Sequence, residues 1–257
     1  MKSFWRIPLL LVAGLCAGFL NTVAGGGSLI TLPLLIFLGL PPTTANGTNR
    51  IAIIVQNATG IMGFRHLEVS NFRYSTLLAI PALIGAIIGA KIAVKFNETL
   101  FKRVLAGVMI AVLCLILFSP KPEAANENLS ITRQIVAMVV FFFIGIYGGF
   151  IQAGVGFIIM AALTVINGFD LALINAIKLF VVFFYTLTAL GVFIKEKRVD
   201  WALGVTLAIG NATGAWIGSQ WAVTKGDEWI KAVLIVTVVA FAIRLLWQSF
   251  TAKTNTN

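Results

Sequence analysis

Charged residues are scarce in this chain, and acidic residues are the scarcest of them. Only 11% of the 257 residues are charged, with 19 Lys and Arg against 9 Asp and Glu, while 59% are hydrophobic. In a soluble domain roughly a quarter of the residues are charged. The mean hydropathy of +0.98 therefore indicates an integral membrane protein. The net charge of +10 is spread among loops rather than gathered in a tail or strip, which argues against nucleic-acid binding.

Side chains used for chemistry are also rare. The chain has one His, and no Asp or Glu falls in the middle of an apolar stretch. Metal sites and acid–base catalysis need such residues, so we expect no metal, no cofactor, no catalytic residue and no enzymatic activity. The two cysteines, Cys16 and Cys114, lie in apolar runs, where we expect them to pack as small apolar groups. Ion coupling commonly uses an intramembrane carboxylate, and only Asp170 is placed to serve as one.

What the chain does have is an internal duplication. Residues 78–95 read LAIPALIGAIIGAKIAVK and residues 207–224 read LAIGNATGAWIGSQWAVT, with nine of the eighteen positions identical. Upstream of these segments, a one-residue gap in the alignment brings Arg50 into line with Lys178. An internal repeat in a membrane chain is typical of transporters built from two related halves.

Apolar runs divide each half into the same parts. A membrane-spanning helix needs about 20 apolar residues, and the segments that fit are 43–63, 74–94, 101–118, 171–194, 201–223 and 229–247. Each half opens with a longer apolar stretch that glycines interrupt, and we expect each stretch to form a hairpin of two short helices, at 7–40 and 135–168. The first repeat is then 1–118 and the second 134–249, with a polar linker at 119–133 and a polar tail at 250–257.

These parts predict an all-α polytopic membrane protein whose two halves are inverted repeats, because a hairpin and three spans give each half an odd number of crossings. Lys and Arg are more numerous in the loops on the side of the two termini, so we expect both termini in the cytoplasm. The same charge pattern fits opening segments that cross the membrane once, which leaves hairpins and full spans as alternatives. Small-residue ladders should allow close helix packing at Gly85, Gly89, Gly210, Gly214 and Gly218.

A stripe of polar residues around a cation marks one helix in each half, with Arg50 in the first and Lys178 in the second. A charge near the bilayer centre costs about 2.5–3.5 kcal/mol on insertion scales, so both stripes should face the protein interior. Snorkelling of both cations to the membrane surface is the alternative. The glycine breaks offer backbone N–H groups and helix N-termini, which suit an anion. The candidate substrate-binding residues are Asn21, Thr22, Ala24, Gly25, Gly26, Gly27, Asn46, Asn49, Arg50, Asn57, Gln152, Gly154, Gly156, Asn175, Lys178 and Tyr185.

Two motifs in the first half carry a resemblance to a known family. The segment NTVAGGGS at residues 21–28, followed by Pro33 and by ANGTNR at residues 45–50, resembles the TauE/SafE sulfite exporter family, also called the toluene sulfonate uptake permease family. The similarity covers nearly the whole chain, including the duplication. It implies a permease for sulfite or an organosulfonate in a bacterial inner membrane. Known members differ in substrate and direction.

The residues and the resemblance together predict a permease that exports a small sulfur-containing anion by alternating access. The expected partners are the anion and the lipid bilayer, with a monomer or a homodimer as the oligomeric state. Two alternatives stay open at this point. One is a passive anion channel that uses the same residues, and the other is an intramembrane enzyme or assembly factor.

Overall fold

The computed structural model describes residues 5–118 and 130–224, and the side chains of 5–111 and 130–222. No strand occurs among these residues. Their helices are α1 (Arg6–Ala24), α2 (Ser28–Phe37), α3 (Pro42–His66), α4 (Phe72–Lys95), α5 (Glu98–Phe118), α6 (Ile131–Ile151), α7 (Val155–Asn167), α8 (Leu171–Lys195) and α9 (Trp201–Thr224). The predicted span 229–247, the predicted tail and most of the predicted linker lie outside the described residues.

The opening segment of each half differs from the expected pair of short helices. α1 has 19 residues and α6 has 21, whereas α2 has 10 and α7 has 13. At a rise of 1.5 Å per residue, α1 and α6 are about 30 Å long, and both are apolar enough to cross a membrane. The breaks at glycine are as predicted, the first helix of each pair is longer than expected, and the re-entrant hairpin itself stays a prediction. α6 begins inside the predicted linker because Ser130 caps it, its hydroxyl accepting a hydrogen bond from the Arg133 N–H at 3.4 Å.

α3 is long enough to cross a membrane but less apolar than the helices that qualify as spans. Within the described residues, four helices are long and apolar enough to cross a membrane, namely α1, α4, α6 and α8. α3 has 25 residues and is not one of them. It carries the polar stripe of the first half, and most of its side chains are buried against other helices. The helices around α3 therefore cover most of its surface, while Val55 and Met62 remain exposed on it.

Glycines bring two pairs of helices into close contact. A Cβ atom placed on Gly214 of α9 would overlap the Leu15 carbonyl oxygen of α1. A Cβ atom on Gly85 of α4 would likewise overlap the Phe142 carbonyl oxygen of α6. The packing role predicted for the small-residue ladders is thus confirmed. Cys16 is exposed on α1, so the prediction that it packs inside was wrong.

The first helix of each half packs against a helix of the other half. α1 of the first half packs along α9 of the second, and α6 of the second half packs along α4 of the first. In the centre, α3 contacts both α8 and α9, while α8 contacts both α3 and α4. A two-fold relation between the halves requires these paired contacts. The inverted repeat itself stays a prediction.

Candidate substrate site

The two glycine breaks meet in the interior of the protein. Gly25 ends α1 in the left-handed region at φ 84°, and Gly154 precedes α7 at φ 72°. A Cβ atom on Gly25 would lie 2.5 Å from the Cα of Gly156, and a Cβ atom on Gly156 would overlap the Cα of Gly25. Backbone therefore touches backbone at this point, and any side chain larger than a hydrogen atom is excluded on either side.

Arg50 of α3 reaches across to the end of α6. Its guanidinium donates to the carbonyl oxygens of Gly149 at 2.6 Å and Gly148 at 3.1 Å. A longer hydrogen bond of 3.4 Å goes to the Oε1 atom of Gln152. The side chain is fully buried and lies over the ring of Phe193, 4.8 Å from the ring centre. Both terminal nitrogens of Arg50 are thus held by the last turn of a helix of the other half.

Lys178 of α8 makes the corresponding contact with the end of α1. Its ammonium group donates to the carbonyl oxygens of Asn21 at 2.9 Å and Thr22 at 3.1 Å. The third N–H goes to the Oδ1 atom of Asn175 at 2.5 Å, and the Asn175 amide donates in turn to the carbonyl of Val23 at 3.0 Å. Lys178 is 2% exposed. All three donors of the ammonium group are therefore used.

The two cations have a common electrostatic role. The last carbonyl groups of a helix lack partners within the helix and carry roughly half a negative charge. Arg50 offsets that charge at the end of α6, and Lys178 does so at the end of α1. Both stripes face the protein interior, as predicted, and neither cation reaches the membrane surface, so snorkelling is excluded.

The half-helices that follow the breaks begin without capping side chains. Within the described residues, α2 and α7 are preceded by Gly27 and Gly154, and neither start has a side-chain capping hydrogen bond. By contrast, α4, α6 and α8 are capped by Asn71, Ser130 and Asp170. Two buried helix N-termini, each with partial positive charge, are thus left next to the breaks. Asp170 is an exposed cap rather than a buried coupling carboxylate.

Several buried polar atoms of α3 have no partner among the described residues. Asn49 is fully buried, and neither its Oδ1 nor its Nδ2 makes a hydrogen bond. A hydrogen-bond partner is also lacking for the Nε atom of Arg50, the Nδ2 atom of Asn57 and the Oδ1 atom of Asn46. The amide nitrogen of Asn46, by contrast, donates to the Phe150 carbonyl at 2.8 Å. An unpaired buried polar group costs about 1–3 kcal/mol. Such groups are candidates for contact with a polar ligand.

The predicted site residues fall into two clusters rather than one. The first cluster contains Arg50 and Gln152, and the Gln152 amide donates to the Tyr185 hydroxyl at 2.9 Å. The second contains Lys178 with the end of α1. Lys178 and Tyr185 are seven residues apart on α8, which places the clusters about 10 Å apart along that helix.

Two groups at the site were missed by reasoning from the sequence. The first is the set of carbonyl oxygens that hold the cations, which no residue type could have revealed because every residue has one. The second is Asn211 of α9, whose amide donates to the Gln56 side chain at 3.0 Å. The sequence does contain one signal for Asn211. It is a polar residue at a position where the matching segment of the first half has the apolar Ala82.

The fold and the site define a class, that of multi-pass helical membrane transporters with broken helices and a polar interior. Within that class, residues 10–245 match the family described as Sulfite exporter TauE/SafE. The chain belongs to the TauE/SafE sulfite exporter family.

Similar proteins cover nearly the whole chain. "Probable membrane transporter protein ORF9" of Sinorhizobium sp is 28% identical over 244 residues, 95% of this chain and 94% of that protein. A "probable membrane transporter protein" of Haemophilus influenzae is 25% identical over 241 residues, 94% of both chains. "Probable membrane transporter protein YfcA" of Escherichia coli is 24% identical over 249 residues, 97% of this chain and 93% of that protein. No solved structure matches the chain.

Proposed function

We propose that this protein exports a small sulfur-containing anion, sulfite or an organosulfonate, by alternating access. The family supplies the substrate class, since its description names sulfite. The observation that carries the proposal is the pair of reciprocal contacts, in which Arg50 holds the end of α6 and Lys178 holds the end of α1.

Those contacts make the breaks attractive to an anion. At each break the negative end of one helix adjoins the positive start of the next, and the two half-charges would largely cancel. A full positive charge on the carbonyl end removes the negative contribution. The uncapped starts of α2 and α7 then dominate the potential. The cations therefore set the potential through the helices they neutralise, and an oxyanion binds to backbone N–H groups at the breaks, with the unpaired Nε atom of Arg50 as a further donor.

Polar side chains beside the breaks complete the proposed site. Thr22 is buried, and its hydroxyl oxygen makes no hydrogen bond within the described residues. Asn21 lies one position before it, and Asn49 offers an unpaired amide on α3. Gln152 is already engaged, since it accepts from Arg50 and donates to Tyr185. Its amide nitrogen carries two N–H groups, however, so the second one remains for the anion at the second break.

The described arrangement is closed at the centre. The contact between Gly25 and Gly156 leaves no room for an anion to pass between the breaks. Transport therefore needs α2 and α7 to separate from each other and open the two clusters to opposite sides in turn. In a plasma membrane with both termini in the cytoplasm, an inside-negative potential drives one negative charge outwards by roughly 2.3 kcal/mol per 100 mV. That gradient suffices for export without an intramembrane carboxylate.

Reconstitution tests the proposal directly. Purified protein in liposomes is loaded with labelled sulfite, sulfoacetate or taurine, and efflux is followed while a potassium diffusion potential is set. We expect saturable efflux of sulfite or a sulfonate that speeds up when the interior is negative. Flux without saturation would indicate the passive channel instead. Absence of flux for all three compounds would overturn the proposed substrate class.

A charge-removal variant assigns the flux to the site. Arg50→Ala combined with Lys178→Ala should abolish transport, because the negative helix ends then cancel the positive starts of α2 and α7. The matched control is Arg65→Ala, which removes an exposed charge from the last turn of α3. Transport by the double variant at the control's rate would contradict the proposed site.

A further inference from the structure

Three buried amides form a chain between α9 and α3. The Nδ2 atom of Asn211 donates to the Oε1 atom of Gln56 at 3.0 Å. The Nε2 atom of Gln56 donates to the Oδ1 atom of Asn57 at 3.2 Å. All three side chains are at most 1% exposed. The chain therefore joins a helix of the second half to the polar stripe of the first, away from water.

The hydrogen bonds in this chain have one direction. Each amide gives a proton to the oxygen of the next, so the oxygen of Asn57 is used and its Nδ2 atom is left without a partner among the described residues. Turning the Asn57 amide over would set its N–H groups against those of Gln56, donor against donor. Asn211 thus holds the Oε1 atom of Gln56, and Gln56 in this orientation keeps the Asn57 oxygen engaged and its Nδ2 atom free.

The free donor lies on the side of α3 next to the first break. Gly60 follows Asn57 by three residues and so shares its side of the helix. A Cβ atom placed on Gly60 would lie 3.7 Å from the Thr22 hydroxyl oxygen, and Thr22 is the residue whose carbonyl accepts from Lys178. The second cluster therefore presents an unpaired amide N–H and, within the described part of the chain, an unpaired hydroxyl, both fully buried.

We propose that Gln56 and Asn211 are positioning residues that hold Asn57 as a hydrogen-bond donor to the transported anion. This inference rests on the proposed function and deepens it. A donor held at this position favours ligands that present an acceptor to it, such as a fully deprotonated sulfite or sulfonate group. Any ligand that directs an O–H or N–H group at Asn57 meets donor against donor and is rejected.

The chain of amides exists in one half only, as far as the described residues extend. In the duplication Asn57 is matched by Tyr185, Gln56 by Phe184 and Asn211 by Ala82. At the first cluster the Tyr185 hydroxyl accepts from Gln152, and Phe184 and Ala82 have no amide that could fix it. Positions 184 and 82 therefore provide controls, because they align with Gln56 and Asn211 in the duplication without the proposed role, although Phe184 is exposed and Gln56 is buried.

A double-mutant cycle tests the inference in the full-length protein reconstituted in liposomes. The probe is labelled sulfite at alkaline pH, where the dianion predominates. Asn57→Leu removes the donor, and Gln56→Met removes the group that orients it at similar volume. A hydrogen bond to a charged group is worth enough to change affinity roughly ten- to hundredfold. We expect each variant to raise the KM for sulfite by about that factor while Vmax changes little.

The double variant that carries both Gln56→Met and Asn57→Leu shows whether Gln56 positions Asn57 or has a purely structural role. If Gln56 acts through Asn57, adding Gln56→Met to Asn57→Leu raises KM no further, because interacting residues are not additive. Losses that multiply, or a Gln56→Met protein with unchanged KM, would overturn the inference. Phe184→Met should leave KM unchanged. If Gln56→Met does not fold, Asn211→Ala replaces it in the cycle, since it installs the residue found at position 82.

The same experiment distinguishes this inference from the proposed function. Wild-type protein that moves neither sulfite nor a sulfonate refutes the function, and the inference falls with it. Wild-type protein that transports sulfite, with multiplicative losses in the cycle, refutes the positioning role alone.

Discussion

The two buried cations occupy matching places in the two halves, yet their surroundings differ. The ammonium group of Lys178 has three acceptors for its three N–H bonds. The guanidinium of Arg50 also binds a helix end, but its Nε atom has no partner in the described part of the chain. Lys178 is therefore saturated by the protein, whereas Arg50 has donors left over, its Nε–H among them. A repeated charge does not imply a repeated task.

The strongest test of this comparison is Lys178→Met. It should lower the free energy of unfolding by about 3–5 kcal/mol, since three buried acceptors lose their donor and each unpaired group costs about 1–3 kcal/mol. Denaturant titration in detergent gives the value. Lys195→Met, which removes an exposed charge at the end of the same helix, is the control and should lie near wild type. A Lys178→Met protein as stable as that control would show that the saturated contact contributes nothing.

Substitution of the touching glycines comes next in expected size. Gly25→Ala should lower stability by about 2–5 kcal/mol, from a left-handed φ and from overpacking against Gly156. Gly156→Ala adds only the overpacking and should cost about 1–3 kcal/mol. A Cβ atom placed on Gly191 would meet no described atom within 4 Å, so Gly191→Ala should be neutral or stabilising. Equal melting temperatures for all three variants would disprove the close contact of the breaks.

Arg50→Lys sharpens the contrast between the cations. The lysine keeps the positive charge but lacks the Nε donor, so the KM for sulfite should rise roughly tenfold to a hundredfold, equivalent to about 1.5–3 kcal/mol. Transport assays in liposomes measure this change in the KM for sulfite. Lys178→Arg is the reciprocal change, and overpacking at that saturated site should lower stability by about 1–3 kcal/mol. An unchanged KM for Arg50→Lys would remove Arg50 from direct contact with the anion.

The smallest expected effect concerns helix starts. Asp170 caps α8, its carboxylate accepting from the Leu173 N–H at 2.8 Å. Asp170→Ala should cost about 1 kcal/mol of stability and leave the KM for sulfite unchanged. Thermal unfolding and transport assays on the same preparation check both values. A large change in transport would instead assign Asp170 a part in coupling.

Part of this architecture follows from elementary rules and could be predicted. A charge within an apolar helix avoids lipid, so the inward direction of Arg50 and Lys178 could be predicted from the sequence alone. Glycines at four-residue spacing allow helices to approach closely, and the contacts of Gly85 and Gly214 confirm this. The breaks at glycine were likewise predictable, because such backbone is tolerated in a membrane only inside protein or a cavity.

The partners of the cations could not be predicted in the same way. Arg50 bonds to a residue 99 positions away and Lys178 to one 157 positions away. Backbone carbonyls hold both, and these leave no trace in residue type. The length of α1 was missed because a glycine break shows where a helix ends but not whether the part before it spans the bilayer. Exposure of Cys16 was missed because a small apolar residue suits lipid as well as a core.

The exchange of helices between the halves has a consequence for biosynthesis. The end of α1 finds its ammonium partner only after 157 further residues have been made. At about 5–20 residues per second, that delay is on the order of ten seconds. During this time α1 lies in the bilayer with its carbonyl end unneutralised and its glycine face uncovered. The nascent chain is therefore exposed to quality-control proteases for as long as translation of the second half lasts.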